Sequence, residues 1–368
     1  MTKDRNNIVG ITKQSPPVDI TEPYDAAWVA GKTILVTGGA SGFGEGFFRK
    51  WAENGANVII GDINDVRGRA LVENVRKATG NQNHHYIHCD VTNWQSQVDF
   101  FREAVRLSPH GGIDAVVANA GITDGSPMFD DPPGNLDTLE EPPAPNLKCL
   151  EVNLIGVMYT AHLAIFYLPK NPKSQPADHT LSPGPNVRDR HLLLVGSIAS
   201  LAAIPGQIQY CASKHAVLGL YRSLRCTASL KGIRVNMILP YFIDTPIIPV
   251  GGRILLAGGA TGKPEDVVDA ATRLMADSRI VGRGLAIGPR IKVGDDWQLL
   301  PDTAQGGTEA AVWEAYAEDF EEADIFTSRF VSSELVATCR VDFFELPIPR
   351  STIAVAPLNY TAAGLESF

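Results

Sequence analysis

The chain has 368 residues, 44% hydrophobic and 20% charged, with a formal net charge of −9 and a pI near 5.4. That composition gives a globular protein with a large core, and its acidic balance argues against a nucleic-acid-binding surface, which no Lys/Arg-rich run supplies locally either. The N-terminus is polar, no run reaches the roughly 18 apolar residues of a membrane span, and Cys89, Cys149, Cys211, Cys226 and Cys339 are scattered without CxxC spacing, so the expectation is a cytoplasmic protein with no membrane span, disulfide framework or metal site.

Residues 1–30, with Pro16, Pro17 and Pro23, read as a polar N-terminal arm. A regular pattern then begins. KTILVTG (32–38) is an apolar run closed by glycine, SGFGEGFFRKWAENG (41–55) a helix, and ANVIIGD (56–62) a second strand. A helix through 66–80, a strand at 84–90, a helix at 95–108 and a strand at 113–121 follow. The rhythm continues with a long helix at 147–168, a strand at 191–200, a helix at 210–231, and strands at 233–240 and 282–289. Strand alternates with helix, and the strands are solidly apolar. This predicts a Rossmann-type, doubly wound parallel α/β sheet of about seven strands, flanked by helices, in one domain over 31–290.

Three segments break the rhythm. Residues 123–145 and 169–190 are rich in proline and polar residues and read as surface insertions. Residues 291–368 form a C-terminal extension. Within it, Val312, Trp313, Tyr316 and Phe320 recur at helical spacing, which predicts an amphipathic helix near 309–330, either packed on the domain or joining an oligomer.

The first strand runs straight into Gly38-Gly39-Ala40-Ser41-Gly42-Phe43-Gly44. Glycines let such a turn approach a phosphate closely, and the helix that follows aims its N–H groups at a pyrophosphate. Asp62 ends the second strand, followed by Ile63. A carboxylate there accepts hydrogen bonds from the adenosine ribose and repels a 2′-phosphate. Arg67 and Arg69 come later, on the helix, so NAD is the expected cofactor. Asp90-Val91 and Asn119-Ala120-Gly121 fall at the carboxyl ends of strands three and four, the ligand edge of such sheets. Asp90 either meets the adenine or caps the next helix.

Tyr210 and Lys214 lie four apart and share a helix face. A free tyrosine has a pKa of about 10, too high for a good base. A lysine ammonium held close stabilises the phenolate and lowers that value. Ser197, at the end of strand five, can hydrogen-bond a substrate oxygen.

TGGASGFG, Asp90-Val91, NAG at 119–121, Asn153, Ser197 and YCASK at 210–214 together resemble the short-chain dehydrogenase/reductase family over about 30–290. YCASKH and Asp62 are similar to its branch containing NAD-dependent 15-hydroxyprostaglandin dehydrogenase. The resemblance implies hydride transfer between nicotinamide and an alcohol or ketone, in a homodimer or homotetramer. It implies catalytic roles for Asn153, Ser197, Tyr210 and Lys214, with Asn153 holding a water of a proton relay and Lys214 also binding the nicotinamide ribose. Pro240, Ile243 and Thr245 would line the nicotinamide end; the family's usual Pro-Gly is here Pro240-Tyr241, which puts the local turn in question. Residues 246–262 read either as a substrate lid or as a packed loop and helix. Ile198, Leu201 and Ile204 after the serine favour an apolar or polycyclic small-molecule substrate, as in secondary metabolism. The alternatives are an NADPH-dependent ketoreductase, or a chain recruited for non-redox cyclisation or isomerisation on a bound cofactor.

Overall fold

The apolar runs at 33–37, 57–62, 115–118, 191–195 and 234–240 become strands buried on both faces, because helices cover both sides of the sheet, while the edge strand at 85–88 stays part-exposed. The computed structural model describes residues 14–124, 134–138, 141–181, 187–243, 245, 261–294, 300–301 and 305–315. The elements are β1 (Thr33–Thr37), α1 (Gly42–Glu53), β2 (Asn57–Asp62), α2 (Asp65–Thr79), β3 (His85–His88), α3 (Trp94–Leu107), β4 (Ala115–Ala118), α4 (Lys148–Lys170), β5 (His191–Val195), α5 (Ile208–Thr227), β6 (Arg234–Pro240), α6 (Pro264–Ala276), β7 (Gly284–Val293) and β8 (Thr308–Ala315). The sheet order is β3-β2-β1-β4-β5-β6-β7-β8. All pairs are parallel except β7–β8. The chain reverses its winding between β1 and β4, which opens a crevice at the carboxyl ends of those strands.

Successive strand residues point to opposite faces and feed two cores. Ile34, Val36, Val58 and Ile60 pack with Phe47, Phe48 and Trp51 of α1 and Leu274 of α6. Leu35, Ile59, Val116 and Leu194 pack with Phe100 and Phe101 of α3, Ala161 of α4 and Tyr221 of α5. Each fully buried large side chain of this kind contributes roughly 1.5–3 kcal/mol.

Four expectations change. The amphipathic helix near 309–330 is not formed over its first part: 308–315 is strand β8, in register with β7 through Ala286↔Trp313 and Ile287↔Val312. The unpaired backbone edge of β7 takes a partner, and β-branched and aromatic residues suit that role better than the local helical spacing suggests. Residues 316–330 lie outside the described residues. The sheet therefore has eight strands, not about seven. β7 also runs past Gly288-Pro289, because a register shift between Ile287 and Ile291 absorbs the proline. The arm is not a free tail where it is described. Gln14 and Ser15 are buried, Ser15 N–H donates to Val281 O while Ser15 Oγ accepts from Val281 N–H, and Asp25 caps a 3-10 turn at Ala26–Val29. Finally, α4 is by length and composition apolar enough to cross a membrane, where no such segment was expected. In the fold it packs on the sheet through Val157, Ala161 and Ala164.

Candidate active site

The glycine turn sits in the β1/β4 crevice. Gly38 has φ +63°, and a Cβ there would stand 2.7 Å from Ala120 Cα. Only glycine fits both the left-handed backbone and that approach. Asn119 braces the turn from β4: its Nδ2 donates to Thr37 O (2.9 Å) and Gly38 O (3.0 Å). The N–H groups of Asn119 and Ala120 donate to Thr37 Oγ1. A Cβ on Gly44 would stand 2.8 Å from Asn119 Nδ2, so glycine is needed there too. Asn119 and Ala120 thus shape the loop itself, which the motif alone did not reveal.

Ser41 is the N-cap of α1 yet makes no side-chain cap bond, and residues 41–43 are part-exposed at the helix N-terminus. Asp62, at the end of β2, accepts from Ala40 N–H (3.0 Å) through one oxygen and from Asn64 N–H (2.9 Å) through the other. Its carboxylate is thereby fixed against the glycine turn. Ile63 beside it is 68% exposed, an apolar surface at the outer end of the crevice.

Asp90 does not cap the next helix. Its Oδ1 accepts from both the N–H and the hydroxyl of Thr92, and Asn93 is the residue that caps α3. Val91 is buried against Gly156 of α4, where a Cβ would stand 2.9 Å away. Asp90-Val91 therefore builds the turn under the crevice.

The catalytic candidates converge on the other side of Gly121. Ser197 leaves β5 and heads a 3-10 turn at Ile198–Ser200; its Oγ accepts from Ala199 N–H (3.1 Å). Tyr210 stands in the first turn of α5, near enough to Ser197 for that side chain to act on its phenol. Lys214, one turn later, is buried and donates from Nζ to Val195 O (3.0 Å). That Nζ is 5.7 Å from the Tyr210 ring centroid. Burial pushes the Tyr210 phenol above its ordinary 10, while the Ser197 side chain pulls it down. Burial lowers Lys214 to about 8.

Asn153 lies in a π-turn, Glu151–Gly156, inside the predicted long helix. Such turns reset the direction of a side chain and recur at functional sites. Here Asn153 Oδ1 accepts from Ile122 N–H and its Nδ2 donates to Ile122 O, both at 2.8 Å. The same Nδ2 donates to Ser213 Oγ (3.3 Å). A Cβ on Gly121 would be 3.4 Å from Asn153 Oδ1 and 3.8 Å from Lys214 Nζ, so the three residues meet. Asn153 touches Ile122 and Ser213 rather than Lys214.

At the nicotinamide end, Tyr241 N–H donates to Ile287 O (2.7 Å) and continues the β6–β7 pairing beyond Pro240. Among the described residues only Lys173 is a non-glycine with positive φ, so Tyr241 needs no glycine conformation. Its ring is 39% exposed and stands edge-on to Phe242. Ile243 is buried and bridges to Gly262; Thr245 is buried. Residues 246–260, which carry the lid reading, lie outside the described residues.

A nicotinamide dinucleotide fits these residues. The glycine cradle would be filled by any Cβ at Gly38; Ser41 and the α1 N-terminus would hold its phosphates, and Asp62 and Lys214 would hold its two riboses. No sequence signal assigned a role to Asp124, Cys149, Gln209 or Ser213, which surround Asn153 and Tyr210. No motif marks Asp124 or Cys149, and Ser213 lies inside the YCASK stretch without a role of its own.

Comparison with known proteins gives the same picture. A family model described as enoyl-(acyl carrier protein) reductase matches residues 38–282. A 5′-hydroxyaverantin dehydrogenase from Dothistroma septosporum is 37% identical over 306 residues, covering 75% of this chain and 94% of that protein. An NADP-dependent dehydrogenase from a Phoma species is 30% identical over 296 residues, covering 77% and 83%. A 3-ketoacyl-(acyl-carrier-protein) reductase from Brucella melitensis, solved with NADH, superimposes with a TM-score of 0.55 at 23% identity, over 70% of this chain and 97% of that one. These matches do not single out the 15-hydroxyprostaglandin dehydrogenase branch. With the glycine turn, the Ser197–Tyr210–Lys214 cluster and these relatives in agreement, the chain belongs to the short-chain dehydrogenase/reductase family.

Proposed function

We propose that the chain interconverts a secondary alcohol and its ketone on an apolar, multi-ring small molecule, with NAD as cofactor and Tyr210 as the acid–base group. The observation that carries the cofactor choice is Asp62, whose carboxylate is held against the glycine turn by Ala40 N–H. A fixed negative charge there favours ribose hydroxyls over a 2′-phosphate. The substrate class follows from Ile198, Leu201 and Ile204 after the serine, and from the half-exposed Tyr241. It agrees with the relative that is a 5′-hydroxyaverantin dehydrogenase.

The bound cofactor supplies the hydride acceptor or donor. The chain supplies the rest. In oxidation, Tyr210 Oη takes the hydroxyl proton and Ser197 Oγ donates to the substrate oxygen. Lys214 opposes the cost of burying a phenolate: at ~6 Å and an effective dielectric of about 20, a unit charge is worth ~3 kcal/mol, about two pKa units. Titrating near 8, Lys214 is mostly charged at neutral pH. Asn153 fixes Ile122 and so the wall behind Gly121.

A second reading, NADP use, is favoured by the NADP-dependent relative and by Arg67, which sits on α2 paired to Glu45 at 3.1 Å. Oxidation of 2-octanol, cyclohexanol and 1-tetralol with NAD and with NADP separates the two. NADH formation fastest on 1-tetralol supports the proposal. Faster turnover with NADP overturns the cofactor choice, and preference for 2-octanol overturns the substrate class. From the family resemblance we also propose a homodimer or homotetramer, and from the polar N-terminus and scattered cysteines a cytoplasmic location.

A further inference from the structure

The catalytic helix α5 begins without a cap of its own. Gln207 occupies the N-cap position but makes no side-chain bond to the helix. The cap arrives from the loop after β4 instead. Asp124 Oδ2 accepts from Gln209 N–H at 3.0 Å, the bond an N-cap side chain usually provides. Gln207 reaches back with both ends of its amide: Nε2 donates to Asp124 O (3.2 Å) and Oε1 accepts from Asp124 N–H (3.3 Å). Gln209 Nε2 donates to Asp124 Oδ1 (3.4 Å) and to Asn146 O (2.8 Å). One buried side chain thus ties both Asp124 and Asn146 to the first turn of α5.

Two further facts mark this latch as costly. Asp124 is 7% and Gln209 2% exposed, so a carboxylate has been drawn largely out of water. Gln209 Oε1 is buried with no hydrogen-bond partner among the described residues, while its amide nitrogen is committed to two acceptors. An orphaned buried acceptor of this kind is uncommon and calls for a reason. Tyr210 is the next residue along. Two residues before Asp124, Ile122 is gripped on both sides by Asn153. The 122–124 segment therefore joins the Asn153 π-turn to the first turn of α5, and Tyr210 is set by that junction.

We infer that Asp124 is a positioning residue for the reaction: through Gln209 it fixes the first turn of α5 and so the distance of Tyr210 from Ser197 and Lys214. This rests on Tyr210 being the acid–base group. A displacement of about 1 Å at such a group costs up to roughly a hundredfold in rate.

The test measures Asp124→Ala and Asp124→Asn against the unaltered chain, with 1-tetralol and NAD, and includes the thermal midpoint and NADH affinity. Asp124→Ala is expected to lower kcat about 10- to 100-fold, leave KM and NADH affinity within a factor of about three, and move the basic-group limb of the kcat profile to higher pH. Asp124→Asn keeps an acceptor for the Gln209 N–H and is expected to recover most of kcat. Difference absorbance of the Tyr210 phenolate in the NAD complex, against Tyr210→Phe, reads the same displacement without any substrate. If Asp124→Ala fails to fold, Gln207→Ala, which breaks the bonds to the Asp124 backbone, carries the same readouts. An unchanged kcat, pH profile and phenolate titration, with only the thermal midpoint lowered, overturns the inference. Loss of NADH affinity in step with kcat overturns it as well. Full turnover by Tyr210→Phe instead removes the base assignment, and the positioning role falls with it.

Discussion

The two ends of the sheet both bury charge, and they do so in opposite ways. At the amino ends of the strands, Arg234 is fully buried and donates to both Asp189 oxygens, at 2.7 Å from NH2 to Oδ2 and 3.1 Å from Nε to each. It also donates to the carbonyls of Leu274 and Met275, closing the C-terminal end of α6. Beside it, Asp114 accepts from Thr33 N–H, Asn171 Nδ2 and Asp189 N–H, and faces His110 and Arg188. Burial opposes the Asp114 charge, yet the His110 and Thr33 bonds win and hold its carboxyl below the ordinary range. At the carboxyl ends, Lys214 is as deeply buried, but among the described residues it makes no ion pair and bonds only Val195 O. A buried charge by itself does not mark a site. A saturated cluster locks elements together, whereas a charge left short of partners has bonding capacity for a ligand and a reacting proton.

That contrast can be broken by removing one charge from each end. Arg234→Ala leaves Asp189 buried without its partner and uncaps the carbonyls of Leu274 and Met275. Unfolding by urea is expected to show a loss of about 3–5 kcal/mol, with kcat of the folded fraction unchanged. A loss under 1 kcal/mol would mean the amino-edge cluster is not a lock. Lys214→Met works in the other direction. Turnover is expected to fall by roughly two to three orders of magnitude, while stability rises. The Lys214 pKa is about 8 when folded and 10.5 when unfolded, so burying the charge costs stability in full below pH 8. That cost fades as pH rises through 10.5. The variant should therefore be more stable by roughly 1–3 kcal/mol at pH 7, with the gain shrinking between pH 8 and 10.5. Thermal melts at pH 7 and pH 10 check it, and equal gains at both would contradict burial as the cause. The smallest effect belongs to Asp62→Ala, which is expected to relax the preference of NAD over NADP by about tenfold in kcat/KM, equivalent to ~1.4 kcal/mol. An unchanged ratio would remove Asp62 from cofactor discrimination.

The carboxyl end was the more legible in the sequence. Gly38 to Gly44 is contiguous, Asp62 ends an apolar run, and Tyr210 and Lys214 are one turn apart, so each signal lies within a few residues. The amino-edge cluster is built from Asp114, Asp189 and Arg234, which no local pattern joins and which meet only when β4, β5 and β6 pair. The π-turn that aims Asn153 leaves no trace in an apolar helix, and Asp124 caps a helix that begins far along the chain. Strand β8 was misread for the same reason: its helical spacing is local, and the β7 edge that claims it is not.

The central claim is that the incompletely paired end of the sheet does chemistry through Tyr210. Tyr210→Phe removes one oxygen and keeps the ring, so the measurement is its NADH formation from 1-tetralol beside its NADH affinity. The account predicts turnover lowered by at least ~100-fold with NADH affinity unchanged. Turnover near that of the unaltered chain would contradict it.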